Sequence, residues 1–330
     1  MDYSKLNYPS LLDDTVTKTI AYSHNVFFAD ELKNKKLKID GSLTLLNDKA
    51  EIQAVSFLKQ FVSERRGESN LNGTFFCFVH DIKKRNRAYD AMDRVRVFIA
   101  AVRIFTENRA DALYDFSIGD IKKKEYFLPF DLNAGEYDTY NFRDTSVIRT
   151  KKDFNVIKTI HKKLIEAKLE KSMHYSKLYN ATEFFRHAYD EHWTLLKTTL
   201  FFTSLESLFS DSSKSEVTEK IAVRTAYLLH PKDSLKRKEV YTFIKRGYEI
   251  RSLFVHGSNT EARVNKIMNR FAKEKGIDYY GFHDDFIKDL NSIVCGCLRR
   301  CYLHEPYFHF FTNEKYKEQE EQAFYSDIVL

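Results

Sequence analysis

An arginine and a histidine lie five residues apart near the end of one strongly helical segment, Tyr248-Glu-Ile-Arg251-Ser-Leu-Phe-Val-His256-Gly257. Five residues of α-helix correspond to about 500° of rotation, so the two side chains leave the axis roughly 140° apart. They can still reach one ligand, because arginine is long and the histidine lies in the last turn. A permanent cation beside a titratable imidazole is suited to acting on a phosphodiester.

Cleavage of RNA without a metal ion begins when the 2′-hydroxyl attacks the adjacent phosphorus. A base must take the proton of this hydroxyl, an acid must protonate the leaving 5′-oxygen, and a cation must stabilise the phosphorane. His256 can act as base or acid, and Arg251 can hold the non-bridging oxygens. One imidazole cannot serve as both at the same moment, so we expect a symmetric dimer that supplies a second copy of each residue.

The same residue types have a purely structural interpretation. Arg251 could be a surface residue, and His256 could cap the helix C-terminus. Two further charged residues, Glu206 and Arg224, lie within apolar helical segments. They could form a buried ion pair that fixes helix register, or they could orient Arg251 or His256.

Other polar residues around the pair could contact RNA. Tyr248 lies one turn before Arg251 and shares its side of the helix, where it could bind a phosphate, stack on a base or simply pack. Lys245 and Arg246 belong to a basic strip that could attract phosphates, or to a solvated helix face. Asn259 follows the motif and could contact RNA from the loop.

Helices must position these residues, and the second half of the chain predicts them in succession. We expect an up-and-down bundle from residue 151. One long helix over residues 180–209 is predicted to bury an apolar face that includes Trp193. The other predicted helices cover 153–171, 216–230, 234–256, 261–275 and 282–303. A charged C-terminal tail covers 311–330.

Residues 1–150 have a mixed pattern that predicts an α+β domain of unknown role in sensing, substrate binding or regulation. We expect strands at 20–28, 36–46, 73–81 and 125–132, and helices at 50–66 and 87–108. The predicted fold class is therefore an α+β N-terminal domain, 1–150, followed by an all-α bundle, 151–310. The chain is expected to be mainly helical, since 10 glycines and 4 prolines are few for 330 residues.

Composition limits the function classes. The net charge of +6 favours a polyanionic partner only weakly. We find no signal peptide and no membrane-spanning segment, and four cysteines form no disulfide framework, so we expect a cytoplasmic protein. Cys297, Cys301 and His304 could share one helix face, but buried core cysteines explain that pattern better than zinc. We predict no metal and no cofactor.

The order of three segments resembles the Apea-like branch of the HEPN superfamily, across roughly residues 150–305. The segments are Ser204-Leu-Glu206-Ser-Leu-Phe209, Ile221-Ala-Val-Arg224-Thr-Ala-Tyr-Leu-Leu229 and the Arg251–His256 motif. The resemblance implies a helical domain that dimerises and often cleaves RNA without metal, with Arg251 and His256 as catalytic residues. Ser252 fits the small polar residue that this family places after the arginine.

Three functions remain open on the sequence. The first is a metal-independent RNA endonuclease that leaves 2′,3′-cyclic phosphate and 5′-hydroxyl ends, acting as a toxin or an anti-phage (abortive infection) effector. Its partners would be RNA, a second copy of the chain, and an antitoxin or a phage-derived trigger. The second is a non-catalytic helical module that binds RNA or a protein. The third is a nucleotide-binding sensor.

Overall fold

The chain divides into two compact units, Met1–Ile165 and Glu166–Leu330. The division falls inside a helix, whereas the sequence placed the domain boundary just before that helix. The structure is a computed structural model, and it describes residues 18–23, 26–29, 32, 37–39, 43–45, 74–79, 87–108, 114–118, 126–127, 146–169, 176–191, 193–211, 216–257, 261–275, 279–313 and 323–326.

The described residues of the first unit form two sheets. Strands β1 (Lys18–Ser23), β3 (Leu43–Leu45), β4 (Thr74–Val79), β5 (Tyr114–Ile118) and β6 (Tyr126–Phe127) form an antiparallel sheet in the order β3-β4-β1-β5-β6. The register of its central pair places Ile20 opposite Cys77. Strands β2 (Val26–Phe28) and β7 (Ser146–Ile148) pair in parallel. The predicted single strand over 20–28 is therefore wrong, because the chain leaves one sheet and enters the other.

Among the described residues of this part of the chain, two helices accompany the strands, α1 (Arg87–Thr106) and α2 (Lys151–Leu169), the second of which continues past Ile165. The first is almost entirely buried from Val97 to Ile104. A reciprocal capping box begins the second, because Thr150 N–H donates to Asp153 Oδ2 at 2.9 Å and Asp153 N–H donates to Thr150 Oγ1 at 3.1 Å. The predicted helix over 50–66 lies outside the described residues, and the α+β domain stays a prediction.

The described part of the second unit is helical, which confirms the predicted helical bundle and the mainly helical character of the chain. Its helices are α3 (Lys177–Asp190), α4 (Thr194–Phe209), α5 (Val217–Leu229), α6 (Ser234–Val255), α7 (Glu261–Lys275), α8 (Tyr279–Leu303) and α9 (Glu305–Thr312). Helix α7 has the predicted bounds. Among the described residues, no helix is long and apolar enough to cross a membrane.

The long helix predicted over 180–209 is wrong, because the chain breaks it into α3 and α4. Glu191 and Trp193 have extended backbone conformations, and Glu191 Oε1 accepts the backbone N–H of Trp193 at 2.7 Å. The break lets α4 fold back on α3, where the Phe185 and Phe201 rings lie 6.2 Å apart. Two short helices can bury more apolar surface against each other than one extended helix can.

The C-terminal residues 323–326 pack on this bundle. Phe324 stacks on Phe310 of α9 with ring centroids 3.4 Å apart, and Tyr325 is buried. The Tyr325 hydroxyl donates to the carbonyl of Leu208, and the Arg224 guanidinium lies 3.6 Å from the Tyr325 ring centroid. Tyr325 of the predicted charged tail therefore belongs to the core, and Phe324 packs beside it.

Candidate functional site

Glu206 of α4 is the common partner of two residues from the motif helix α6. One carboxylate oxygen, Oε2, accepts from Arg251 Nη2 at 2.7 Å, and the other, Oε1, accepts from the Tyr248 hydroxyl. Both charged side chains are mostly buried, with 18% of Arg251 and 17% of Glu206 exposed. The pair is therefore shielded from solvent and holds the guanidinium in one position.

The Tyr248 hydroxyl is a fixed donor in this group. Burial and the hydrogen bond to Glu206 raise the pKa of Tyr248 above its ordinary value, so the hydroxyl keeps its proton. The Tyr248 ring also lies 5.3 Å from the Arg251 guanidinium carbon and packs edge-on against Phe202 of α4. Tyr248 and Arg251 share one side of the helix, as their spacing predicted.

Gly247 explains how α6 comes so close to α4. A Cβ atom at this position would lie 2.6 Å from Cζ of Phe202 and 3.0 Å from Cζ of Phe286 in α8. Real Cβ contacts are longer than this, so only glycine permits the observed approach. The approach in turn brings Tyr248 within hydrogen-bond reach of Glu206.

His256 caps the C-terminus of α6 and is exposed. Its backbone N–H donates to the Ser252 carbonyl at 3.1 Å. Gly257 follows with φ +65°, the left-handed conformation that commonly ends a helix. In the described part of the chain, no hydrogen bond joins the side chains of Arg251 and His256. The first faces Glu206, whereas the second reaches solvent one turn later.

Arg224 does not belong to the group formed by Glu206, Tyr248 and Arg251. Its Nη2 atom donates to Asp211 Oδ2 at 2.7 Å, and its Nη1 atom donates to the carbonyl of Phe209. The predicted Glu206–Arg224 ion pair is therefore wrong. The physical reason is that Asp211 and the carbonyl of Phe209, the last residue of α4, bind the Arg224 guanidinium, whereas Glu206 binds Arg251.

Three residues were predicted to bind RNA, Lys245, Arg246 and Asn259, and the structure describes the first two of them. Lys245 Nζ lies 2.9 Å from Glu219 Oε2 and 3.1 Å from the Tyr241 hydroxyl. The hydrogen bond to Glu219 is the main cause of a raised pKa for Lys245. Arg246 is half-buried on α6, and Ser252 is also half-buried there. Asn259 lies outside the described residues.

Trp193 is a feature that the sequence misplaced. It was predicted on a buried helix face, but it precedes α4 and is 55% exposed. Its ring packs edge-on against Phe254, at a centroid distance of 5.0 Å. Phe254 lies within the motif, so an exposed aromatic surface adjoins the helix end that carries His256. The short polar sequence before Trp193 was the available signal of a helix break.

The cysteines of α8 belong to the core. Cys295, Cys297 and Cys301 are fully buried, and burial raises the pKa of the Cys297 and Cys301 thiols. In the described ranges, no group of three His, Cys, Asp or Glu residues is arranged to hold a metal ion.

Comparison of the chain with protein-family models, curated proteins and solved structures finds no match. The resemblance to the HEPN superfamily therefore depends on the three segments named above and stays a prediction.

Proposed function

We propose that this protein is a metal-independent RNA endonuclease of the HEPN type, with Arg251 and His256 as its catalytic residues. The observation that supports this most is the fixed position of the Arg251 guanidinium beside Glu206, one turn before an exposed His256 on the same helix. A rigid cation followed by an accessible imidazole is the arrangement that phosphoryl chemistry needs.

In this mechanism the 2′-oxygen forms a bond to phosphorus while its proton passes to one His256. The bond from phosphorus to the 5′-oxygen breaks, and a second His256, protonated beforehand, gives its proton to that oxygen. One Nη2 donor of Arg251 binds Glu206 and its Nε–H is buried, so the remaining Nη donors are the ones that would reach the scissile phosphate and stabilise the phosphorane charge. The products are a 2′,3′-cyclic phosphate and a 5′-hydroxyl.

Two imidazoles in different protonation states require two copies of the chain, so the proposed active form is a homodimer through the second unit. We further propose that the enzyme is a cytoplasmic toxin or anti-phage effector. An antitoxin or a phage-derived trigger would then control it. Trp193 and Phe254 would add a stacking surface for an RNA base beside the site.

The test uses wild type, Arg251→Ala and His256→Ala, purified identically and incubated with total RNA in EDTA. We expect cleavage by wild type alone and products that carry 2′,3′-cyclic phosphate. His256→Ala is the sharper variant, because His256 is exposed and its loss should leave folding intact. Cleavage that needs a divalent ion, or that survives in folded His256→Ala, would exclude this mechanism.

A non-catalytic binding module is the second candidate, and one observation favours it. Glu206 already neutralises Arg251, so the ion pair could serve only to join α4 and α6. In that case wild type leaves RNA intact, and the Arg251 variant changes stability or binding without any catalytic effect. Induced expression of wild type and His256→Ala, with growth and total RNA examined, separates the two functions in cells.

A further inference from the structure

The first unit contains a cavity of about 470 Å³ between α1, α2 and the residue Ile39. This volume falls within the range of about 300–1,000 Å³ that small-molecule sites occupy. Ile39 and His161 in its lining are buried, whereas Lys162 is exposed. The lining therefore combines buried side chains with a charged side chain that meets solvent.

Three of the eight described lining residues carry a permanent positive charge. Arg94 of α1 and Lys158 and Lys162 of α2 line the cavity, and none of its described lining residues carries a carboxylate. Lys158 and Lys162 lie four residues apart on one helix face, where like charges repel. A bound anion would remove this repulsion and would accept charge-assisted hydrogen bonds from all three side chains.

Neutral groups in the lining narrow the class of ligand. The Asn155 amide can donate to a phosphate oxygen, whereas the Thr159 hydroxyl already donates to the Asn155 carbonyl at 3.0 Å. Ile39 and Ile165 supply apolar surface. Phosphates alone make no use of apolar surface, but a nucleoside carries a base that does.

We propose that this cavity binds a nucleotide with at least two phosphates, held by Arg94, Lys158 and Lys162. The base and sugar lie against the apolar part of the lining. The proposal concerns the first unit only and does not depend on ribonuclease activity.

Isothermal titration of the full-length protein with ADP, UDP, pyrophosphate and adenosine, in EDTA, tests it. We expect ADP or UDP to bind, pyrophosphate to bind more weakly than the better nucleotide, and adenosine not to bind. If neither nucleotide binds, the proposal is overturned. If pyrophosphate binds as tightly as the nucleotides, the base makes no contribution and the nucleotide assignment is wrong.

Paired variants locate the site. Lys158→Ala/Lys162→Ala should weaken nucleotide binding by about tenfold or more, because each lost charge-assisted bond has a large effect. The matched control is Lys151→Ala/Lys152→Ala, which removes the same charge from two exposed lysines in the first turn of α2. Lys158→Arg/Lys162→Arg should retain binding. Equal losses in the two alanine pairs would place the nucleotide elsewhere, and circular dichroism melts confirm that each variant is folded.

Discussion

Glu206 and Arg251, which are 45 positions apart, form an ion pair with 2.7 Å between Oε2 and Nη2. The contact connects α4 to the helix that carries the Arg251–His256 motif. It makes Glu206 a positioning residue for Arg251, and this role can be separated experimentally from the catalytic role proposed for His256.

Glu206→Gln should lower the free energy of unfolding by about 1–3 kcal/mol, because a mostly buried guanidinium loses its counter-charge. Under the proposed function it should also reduce single-turnover cleavage by up to about a hundredfold, since Arg251 is no longer held in place. The control is Glu249→Gln, which removes an exposed carboxylate from α6, the helix that carries Arg251. If the folded Glu206 variant cleaves at the wild-type rate, the ion pair has only a structural role.

Tyr248→Phe removes one hydroxyl and leaves Glu206 Oε1 without its donor. We expect a loss of about 1 kcal/mol in urea unfolding. Tyr241→Phe is a matched control, because the Tyr241 hydroxyl also donates to a carboxylate, that of the more exposed Glu219, at 2.7 Å. A larger loss for Tyr241→Phe would contradict the importance assigned to the buried contact.

Gly247→Ala should be destabilising even though alanine favours helix. Overpacking against Phe202 and Phe286 costs about 1–3 kcal/mol, against a gain of up to about 1 kcal/mol in helix propensity. The melting temperature should therefore fall. Gly257→Asn provides the comparison, because nothing lies within 4 Å of its Cβ position and asparagine tolerates the left-handed conformation. A stabilised Gly247→Ala would show that α6 can move away from α4 without loss.

Trp193→Ala should weaken the binding of single-stranded RNA by about tenfold, because one stacked base contributes about 1–3 kcal/mol. Stability should change little, since the side chain is half-exposed and its main contact is Phe254. Leu235→Ala removes another exposed apolar side chain and should leave binding unchanged. Fluorescence anisotropy measures the RNA affinity of the two variants in a His256→Ala background, which the proposed mechanism makes inactive. Unchanged affinity for Trp193→Ala would show that Trp193 is not part of the proposed RNA surface.

Tyr325→Ala should destabilise the second unit by about 3–5 kcal/mol, as truncation of a buried aromatic ring usually does. Tyr325→Phe keeps the ring under Arg224 and loses only the hydroxyl contacts with Leu208 and with Lys177, so about 1 kcal/mol is expected. Urea unfolding of the two variants checks this order. Equal effects would mean that the hydroxyl, and not ring burial, holds the C-terminal segment in place.

Local features were predictable from the sequence because neighbouring residues determine them. Apolar periodicity placed α7 at its observed bounds. A glycine after the last apolar turn marked the end of α6, since glycine adopts φ +65° without the strain that most residues incur there. The spacing of Tyr248 and Arg251 correctly placed both on one helix face.

The tertiary structure alone decided which charges meet. Glu206 could have paired with Arg224 or with Arg251. It pairs with Arg251 because α6 approaches α4 closely at Gly247 and because Asp211 binds the Arg224 guanidinium. A short polar sequence, residues 190–192, was the local signal of the break before Trp193, and the packing of α4 on α3 stabilises the two-helix arrangement. Helix periodicity is a property of neighbours along the chain, whereas ion pairing and exposure depend on distances between residues far apart in it.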